Sequence, residues 1–209
     1  MSDTSQATPS CDLRGIREAV CVHTDKITDS CLAKDCIEDL RVYLTLDSQR
    51  ALDGASSARA RYVELIHVSI QVEPVPYNTG HFTVDITYYY RVVGETSVPN
   101  GCPNTITGLA VFSKRLVLFG GESSAKTFVS RECGCLTKQS IANCSAPTAV
   151  VEVVDPIILG SGVQEACSCC CNPDTPVIPD AILACFDQEL VLKGECRRLL
   201  VTIGQFSIT

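Results

Sequence analysis

Cysteines are the residues of this chain whose type and spacing could carry chemistry: there are 14 among 209 residues, beside one methionine and no tryptophan. Thiols bind metals, act in redox reactions or form disulfides, and their spacing helps to distinguish these roles. The chain has two short pairs, C-x4-C from Cys31 and C-x-C from Cys133, and a run C-x-C-C-C that begins at Cys167. None matches the spacing of a zinc ribbon or a ferredoxin. Metal binding is therefore kept only as an alternative to disulfide formation.

The three consecutive cysteines Cys169–Cys171 are the most informative of these patterns. Adjacent residues rarely bond to each other, because a disulfide needs a particular Cα separation and torsion. Consecutive side chains of an extended segment also point to opposite sides, so these thiols can reach several partners. The partners could lie within the chain or, with Cys11 near the N-terminus, on neighbouring subunits. All the cysteines are candidates for disulfides or inter-subunit cross-links: Cys11, Cys21, Cys31, Cys36, Cys102, Cys133, Cys135, Cys144, Cys167, Cys169, Cys170, Cys171, Cys185 and Cys196.

Sequence patterns typical of catalysis are absent. No G-x-S-x-G, H-E-x-x-H, P-loop or dinucleotide-binding glycine pattern occurs. The histidines His23, His67 and His81 are far apart in the sequence, and a lone histidine on a strand is more often a surface or core residue than a metal ligand. We therefore expect no enzymatic activity, no cofactor and no resident metal.

Charge and hydropathy bear on the partners and the compartment. A net charge of −7 repels phosphate backbones, so nucleic-acid binding is not expected. No stretch approaches the roughly 18 apolar residues of a membrane span, so no membrane insertion is expected. The first residues, MSDTSQATPSCDLRG, lack the basic start and apolar run of a secretory signal. Synthesis in the cytosol, where thiols are kept reduced, would require later oxidation or metal binding, unless Met1 replaces a removed leader.

Two segments alternate apolar and polar residues with a period of two, as half-buried antiparallel strands do. In Phe82–Val92 this alternation predicts core positions for Tyr88 and Tyr90 and an interface contact for Tyr89. In Tyr62–Val72 it places the even-numbered residues on one face. The turn residues between the two segments predict a hairpin with a wide loop.

The rest of the chain also has mostly strand signals and no sustained 3.6-residue apolar pattern. We predict an all-β fold, an antiparallel β-sandwich of which a jelly roll is one form, with cysteine-rich loops. Residues 1–15 are predicted to be a flexible N-terminal arm, and residues 16–209 a single sandwich domain with cysteine-rich insertions at about 131–147 and 163–179. Residues 48–61 could form a loop or a helical turn. Further strands are predicted at Ile37–Leu46 and at Ile106–Phe119, the latter with a bend near Ser113. Ala149–Leu159 is predicted to be a strand at an edge or a bulge, because it contains Pro156. Ala181–Leu192 and Leu199–Ile208 are predicted to be two strands that form a second hairpin.

Five strings, spread over most of the chain, carry a resemblance to a known family. They are GIREAVCVHTDKITDSCLAKDCIEDLRVYL (15–44), VSIQVEPVPYNTGHFTVDITYYYRV (68–92), AVVEVVDPIILG (149–160), the cluster ACSCCCNP and LLVTIGQFSI near the end. With them the chain resembles the cysteine-rich spore-surface proteins of clostridia, a family that includes a self-assembling protein of the exosporium basal layer.

The resemblance implies a structural protein made in the mother cell without a signal peptide. Such a protein self-assembles into a disulfide cross-linked, ordered layer of the exosporium or coat on the spore surface. Its partners would be further copies of itself, in a high-order lattice or filament, and other spore-coat proteins. Oxidation after the mother cell lyses would reconcile the many thiols with cytosolic synthesis. Two alternatives remain open from the sequence: a subunit of a disulfide-stabilised extracellular fibre or appendage, and a metal-binding protein that uses the cysteine cluster. A sugar-binding β-sandwich adhesin has only the fold class in its favour.

Overall fold

Strands form most of the described part of the chain. The computed structural model describes residues 20–22, 24, 26–98, 102–121, 147–165, 176–193 and 195–209. The predicted arm at 1–15 and most of the two predicted cysteine-rich insertions lie outside these residues. The strands are β1 (Leu32–Leu44), β2 (Ser57–Pro74), β3 (His81–Ser97), β4 (Asn104–Phe119), β5 (Glu152–Val153), β6 (Ile157–Glu165) and β7 (Arg197–Ile208), and the helices are α1 (Leu46–Asp53) and α2 (Asp180–Leu183).

The strands form one curled antiparallel sheet in the order β2-β3-β4-β1-β7, and both β5 and β6 pair with the free side of β7. The predicted all-β antiparallel fold is confirmed. The sheet has two halves, one formed by β2, β3 and β4 and the other by β1, β7, β5 and β6, which meet where Val42–Leu44 of β1 pair with Gly108–Ala110 of β4. Because the described strands belong to one continuous sheet, the two separate sheets of a sandwich, and hence a jelly roll, are not confirmed.

The joint between the halves depends on a glycine. Gly108 lies opposite Leu44, and a Cβ at this position would come within 2.6 Å of the Tyr43 carbonyl oxygen. Glycine in a strand interior often marks a close approach of two backbones. Its lack of a side chain therefore lets β4 and β1 meet closely at the bend of the sheet.

The curl brings the two edges of the sheet, β2 and β6, towards each other. The Ala60 amide donates a hydrogen bond to Ser161 Oγ at 3.0 Å, and the Leu65 amide donates one to Asp155 Oδ1 at 3.4 Å. Side chains, rather than a ladder of backbone bonds, thus link the edges. The core lies inside the curl and consists mainly of β-branched and aromatic residues: Ile37, Val42, Leu44, Leu52, Val63, Val84, Ile86, Tyr88, Tyr90, Val92, Ile106, Leu199, Val201 and Ile203.

The β2–β3 hairpin confirms one predicted pattern and corrects another. Tyr88 and Tyr90 are fully buried, as the alternation of β3 predicts, and the wide hairpin loop is present between Pro74 and His81. In β2, however, irregularities in the register after Ala60 and Leu65 reset the alternation. The predicted single face of even-numbered residues is therefore wrong, since Val63 is buried while Tyr62 is 53% exposed.

A segment predicted to be a strand is instead a cover over the outer surface of β3 and β4. Residues 181–192 contain the end of α2 and turns, and only Leu190 makes an isolated bridge, to Thr45, so the second hairpin is wrong. The segment packs Ile182 and Leu190 against Tyr89 and Leu109. Tyr89 is therefore 4% exposed, and its predicted role as an interface contact is wrong.

The remaining predictions are refined. α1 resolves the ambiguity of residues 48–61, where a helix ends at Asp53 and β2 begins at Ser57. The predicted bend near Ser113 is absent from β4, whose register with β3 is continuous. The break at Pro156 does separate two edge strands, β5 and β6. No helix in the described ranges is long and apolar enough to cross a membrane.

Candidate functional site

The half of the sheet formed by β1, β7, β5 and β6 carries an exposed apolar surface on its outer side. Odd-numbered residues of β7 from Leu199 to Ser207 are buried, so the even-numbered ones point outward, and Phe206 and Ile208 are 49% and 46% exposed. Their neighbours across the ladders share this exposure. We call this surface the bare face: Leu32, Cys36, Val154, Ile157, Leu159, Phe206 and Ile208.

The bare face contrasts with the outer surface of the other half. There, residues 176–193 cover the apolar residues Tyr89 and Leu109. On the bare face, the described residues include no such cover. Lys34 lies over Phe206, with its Nζ 5.6 Å from the centre of the ring. A contiguous exposed apolar patch with a charged rim is typical of a protein interaction site. The bare face is therefore the candidate functional site.

Cys36 lies in the middle of the bare face. It is held in the β1–β7 ladder opposite Gly204, which has no side chain to cover it. On the other side of Gly204, a Cβ would touch Ile157 at 3.3 Å and Leu159 at 3.4 Å, so these two side chains lean over the glycine. Cys36 is exposed and forms no disulfide with another described cysteine. Its thiol is thus presented outward from a fixed backbone, beside apolar side chains.

The C-x4-C pair does not converge. Cys31 is fixed at the end of β1 by two backbone hydrogen bonds with Thr209, at 2.9 and 3.0 Å. Residues five apart in extended backbone point to opposite faces, so the Cys31 and Cys36 thiols diverge. In the described part of the chain no three histidine, cysteine or acidic side chains are placed to hold a metal ion.

Cys196 is exposed beside a buried ion-pair cluster. The neighbouring Glu195 side chain is 4% exposed and forms ion pairs with Arg41 and, at 2.7 Å, with Arg198. Arg41 also donates to the Leu192 carbonyl oxygen at 2.9 Å. These contacts fix the backbone on the N-terminal side of β7. They therefore present the Cys196 thiol from a rigid position, as the ladder does for Cys36.

The other described cysteines are exposed at separate places. Cys185 follows α2, where its thiol donates to the Ala181 carbonyl oxygen at 3.4 Å and its own carbonyl accepts from Arg91 at 3.0 Å. Cys21 precedes β1, and Cys102 lies between β3 and β4. No two of the six described cysteines form a disulfide with each other. The remaining cross-link candidates lie outside the described residues: Cys11, Cys133, Cys135, Cys144, Cys167, Cys169, Cys170 and Cys171.

A cleft of about 580 Å³ opens at the end of the curl away from α1, and its lining is largely apolar. Residues 26–30 form one wall. Asp29 anchors this wall to β4, because its carboxylate accepts hydrogen bonds from the Phe119 amide at 2.9 Å and the Ser30 amide at 2.8 Å. The Phe119 bond, followed by the Ser30 bond, lowers the pKa of Asp29. The charged residues of the lining are Lys26, Asp29 and Glu152, which form no nucleophile–base pair.

Sequence reasoning missed the bare face, although the sequence carries a signal for it. The string LLVTIGQFSI has apolar residues at both odd and even positions. A strand with this sequence therefore places apolar side chains on both faces of the sheet. Comparison with known proteins adds no relative: no family model, no curated protein and no solved structure matches this chain.

Proposed function

We propose that this protein is a structural subunit that self-assembles through its apolar surfaces into an ordered layer and is then cross-linked by disulfides. The observation that carries the proposal is the bare face, where exposed apolar side chains lie on the same surface as the outward-pointing Cys36. A surface of this kind favours burial against another protein. When an oxidant such as molecular oxygen removes two electrons and two protons, its thiol can then form a disulfide with a thiol of the neighbouring copy.

The energetics favour reversible contact before covalent bonding. Full burial of an exposed Val, Leu, Ile or Phe side chain stabilises by about 1.5–3 kcal/mol, and the six apolar side chains of the bare face are already about half covered. Each would therefore add roughly 1 kcal/mol, whereas association costs about 4–15 kcal/mol. One such contact alone is weak, and a disulfide formed within it makes dissociation depend on reduction.

The placement of the described thiols suits cross-linking in several directions. Cys31, Cys36 and Cys196 lie at the end, the middle and the start of the β1–β7 pair, and all are held by ladder contacts or by the adjoining ion-pair cluster. Cys102 and Cys185 lie on other elements. These described thiols are too far apart to bond to one another, but they can join one copy to several neighbours.

The resemblance to clostridial spore-surface proteins gives the proposal its location. We propose that the layer is part of the exosporium or coat of a spore, with synthesis in the mother cell and oxidation after lysis. Other coat proteins are proposed as additional partners. A fibre subunit would use the same chemistry in one dimension, and electron microscopy of the oxidised assembly distinguishes a filament from a lattice.

To test the bare face, we compare two lysine variants, each at an apolar residue whose side chain is exposed to a similar degree. Ile157, at 59% exposure, lies on the bare face, whereas Val117, at 56%, lies on the outer side of β4 in the other half. We expect Ile157→Lys to prevent growth of large assemblies at high protein concentration, measured by light scattering, and Val117→Lys to leave it unchanged. Both variants should unfold like the wild type in urea.

The oxidised state provides the second readout. After oxidation, wild-type assemblies should persist in hot detergent and disperse only when a reductant is added. A wild-type chain that stays monomeric at high concentration, both reduced and oxidised, would refute the proposed function. Equal assembly of the Ile157→Lys and Val117→Lys variants would refute the role of the bare face.

A further inference from the structure

Among the described residues, the outer half of β2 has no partner strand on its side away from β3. β2 is the terminal strand of the sheet, and its side away from β3 is linked to the rest of the described chain at Ala60 and Leu65. From His67 to Glu73, no backbone group forms a described hydrogen bond on that side. A long, uncovered edge is a template for pairing with another strand.

The sequence of this edge is complementary to itself in the antiparallel direction. Residues 67–73 read HVSIQVE. When the segment is paired with its own copy about Ile70, His67 lies opposite Glu73 of the copy, Val68 opposite Val72, and Ser69 opposite Gln71. The His67 ring, which can donate a hydrogen bond, faces the Glu73 carboxylate, apolar residues face apolar residues, and Ile70 meets Ile70. Cross-strand pairs of these kinds stabilise antiparallel sheets.

The proposed pairing is consistent with the side of the sheet on which each β2 residue lies. Val68 and Val72 pack against the core, and Ile70 between them is 36% exposed. His67 and Glu73 are exposed, and neither has an ion-pair partner in the described ranges. They are six residues apart, which separates them by roughly 20 Å along the strand. They therefore cannot pair with each other within one chain.

Both ends of the free edge are closed to further pairing. At one end Asp155 already accepts the hydrogen bond of the Leu65 amide. At the other end Pro74 has no amide hydrogen to donate. In a pairing centred on Ile70, Leu65 lies opposite Val75 and Ile66 opposite Pro74, so the two limits fall within one residue of each other on both strands. The free edge thus has the length and symmetry of one seven-residue ladder.

We propose that His67–Glu73 pairs antiparallel with the same segment of a second copy, about a twofold axis at Ile70. The pairing joins two sheets edge to edge and is isologous, because each copy contributes the same surface. The inference rests on the proposed function, since it supplies one contact of the assembly. It uses a different surface from the bare face, so a subunit with both contacts can extend beyond a dimer.

A charge swap tests the register in the full chain, kept reduced so that disulfides do not contribute. His67→Glu places two carboxylates opposite Glu73 residues and should weaken association, measured by sedimentation velocity. The double variant His67→Glu with Glu73→Lys places a carboxylate opposite an ammonium group and should recover it. Ile70→Lys brings two ammonium groups together at the axis and should abolish the contact, whereas Val117→Lys should not.

Cross-linking gives a readout that does not depend on these variants. A photoreactive benzophenone amino acid in place of Gln71 should join two copies into a dimer whose linked peptide contains Ser69. Association unaffected by His67→Glu and Ile70→Lys, or a dimer cross-linked elsewhere, would overturn the edge pairing and leave self-assembly standing. A wild-type chain that is monomeric both reduced and oxidised would overturn the edge pairing together with the proposed function.

Discussion

The Tyr90 hydroxyl donates a hydrogen bond to the side-chain carbonyl oxygen of Gln205 inside the curl of the sheet. Tyr90 belongs to β3 and Gln205 to β7, so this buried bond links the two halves of the sheet across the core. The Gln205 side-chain NH2 group has no partner within the described ranges. The bond therefore gives the buried Tyr90 hydroxyl and the buried Gln205 carbonyl oxygen a hydrogen-bond partner.

Removal of this bond should destabilise the fold. We expect Tyr90→Phe to lower the free energy of unfolding by about 1–3 kcal/mol, because the Gln205 oxygen would remain buried without a donor. The matched control is Tyr88→Phe, since the Tyr88 hydroxyl is buried and has no described partner, and its removal should cost little. Urea unfolding of both variants measures the difference. A loss for Tyr88→Phe as large as that for Tyr90→Phe would contradict the assignment.

The buried tyrosines should make the fold sensitive to alkali. Burial raises the pKa of Tyr90, and burial also raises the pKa values of Tyr43 and Tyr89. Their folded pKa values then exceed the value of about 10 in the unfolded chain. The unfolded state loses protons first, so stability is complete below about pH 10 and falls as pH rises above it.

Urea unfolding between about pH 8.5 and 11 checks this dependence. Thiols titrate in the same range, so the informative quantity is the difference between wild type and Tyr90→Phe, which retains every cysteine. The fall above about pH 10 should be shallower in the variant. Parallel curves for the two proteins would show that Tyr90 does not contribute to the alkaline loss.

The buried ion pairs of Glu195 should contribute far more to the free energy of unfolding than an ion pair on the surface does. Glu195 is 4% exposed and its partner Arg41 15% exposed, so Glu195→Ala leaves a buried guanidinium without its carboxylate. We expect a loss of about 3–5 kcal/mol in the free energy of unfolding. Arg50→Ala removes an exposed i,i+3 pair with Asp47 and should cost about 0–1 kcal/mol. Similar losses in the two variants would argue against the buried cluster.

Cys36 should matter for the oxidised assembly and not for the fold. Cys36→Ser should leave the free energy of unfolding of the reduced chain within about 0.5 kcal/mol of wild type, because the side chain is exposed. It should strongly reduce the fraction of chains held in detergent-resistant oligomers after oxidation. Cys185→Ser is the matched control, since Cys185 is also exposed but lies away from the bare face. Non-reducing gels compare the two, and equal patterns would remove Cys36 from the cross-links.

The sequence alone determined the class of fold and the parts that depend on local order. Alternation in β3 fixed Tyr88 and Tyr90 as core residues, and the turn residues before His81 fixed the hairpin. Both follow from the period of two of a strand and the backbone preferences of turn residues, which neighbouring positions specify. The absence of a helical apolar pattern was sufficient to predict strands throughout most of the chain.

Only the tertiary structure decided which apolar surfaces are covered. In the cover over β3 and β4, Ile178, Ile182, Phe186 and Leu190 recur at every fourth position, although only Asp180–Leu183 of this segment is helical. The bulges of β2 shift its core-facing residues from even to odd positions after Ala60 and back to even positions after Leu65, which alternation cannot foresee. Tyr89 and Phe206 are both aromatic residues on the outer side of the sheet, yet Tyr89 is buried and Phe206 is exposed. Burial depends on which distant segment lies against a strand, and that is a property of long-range packing rather than of the residues beside it.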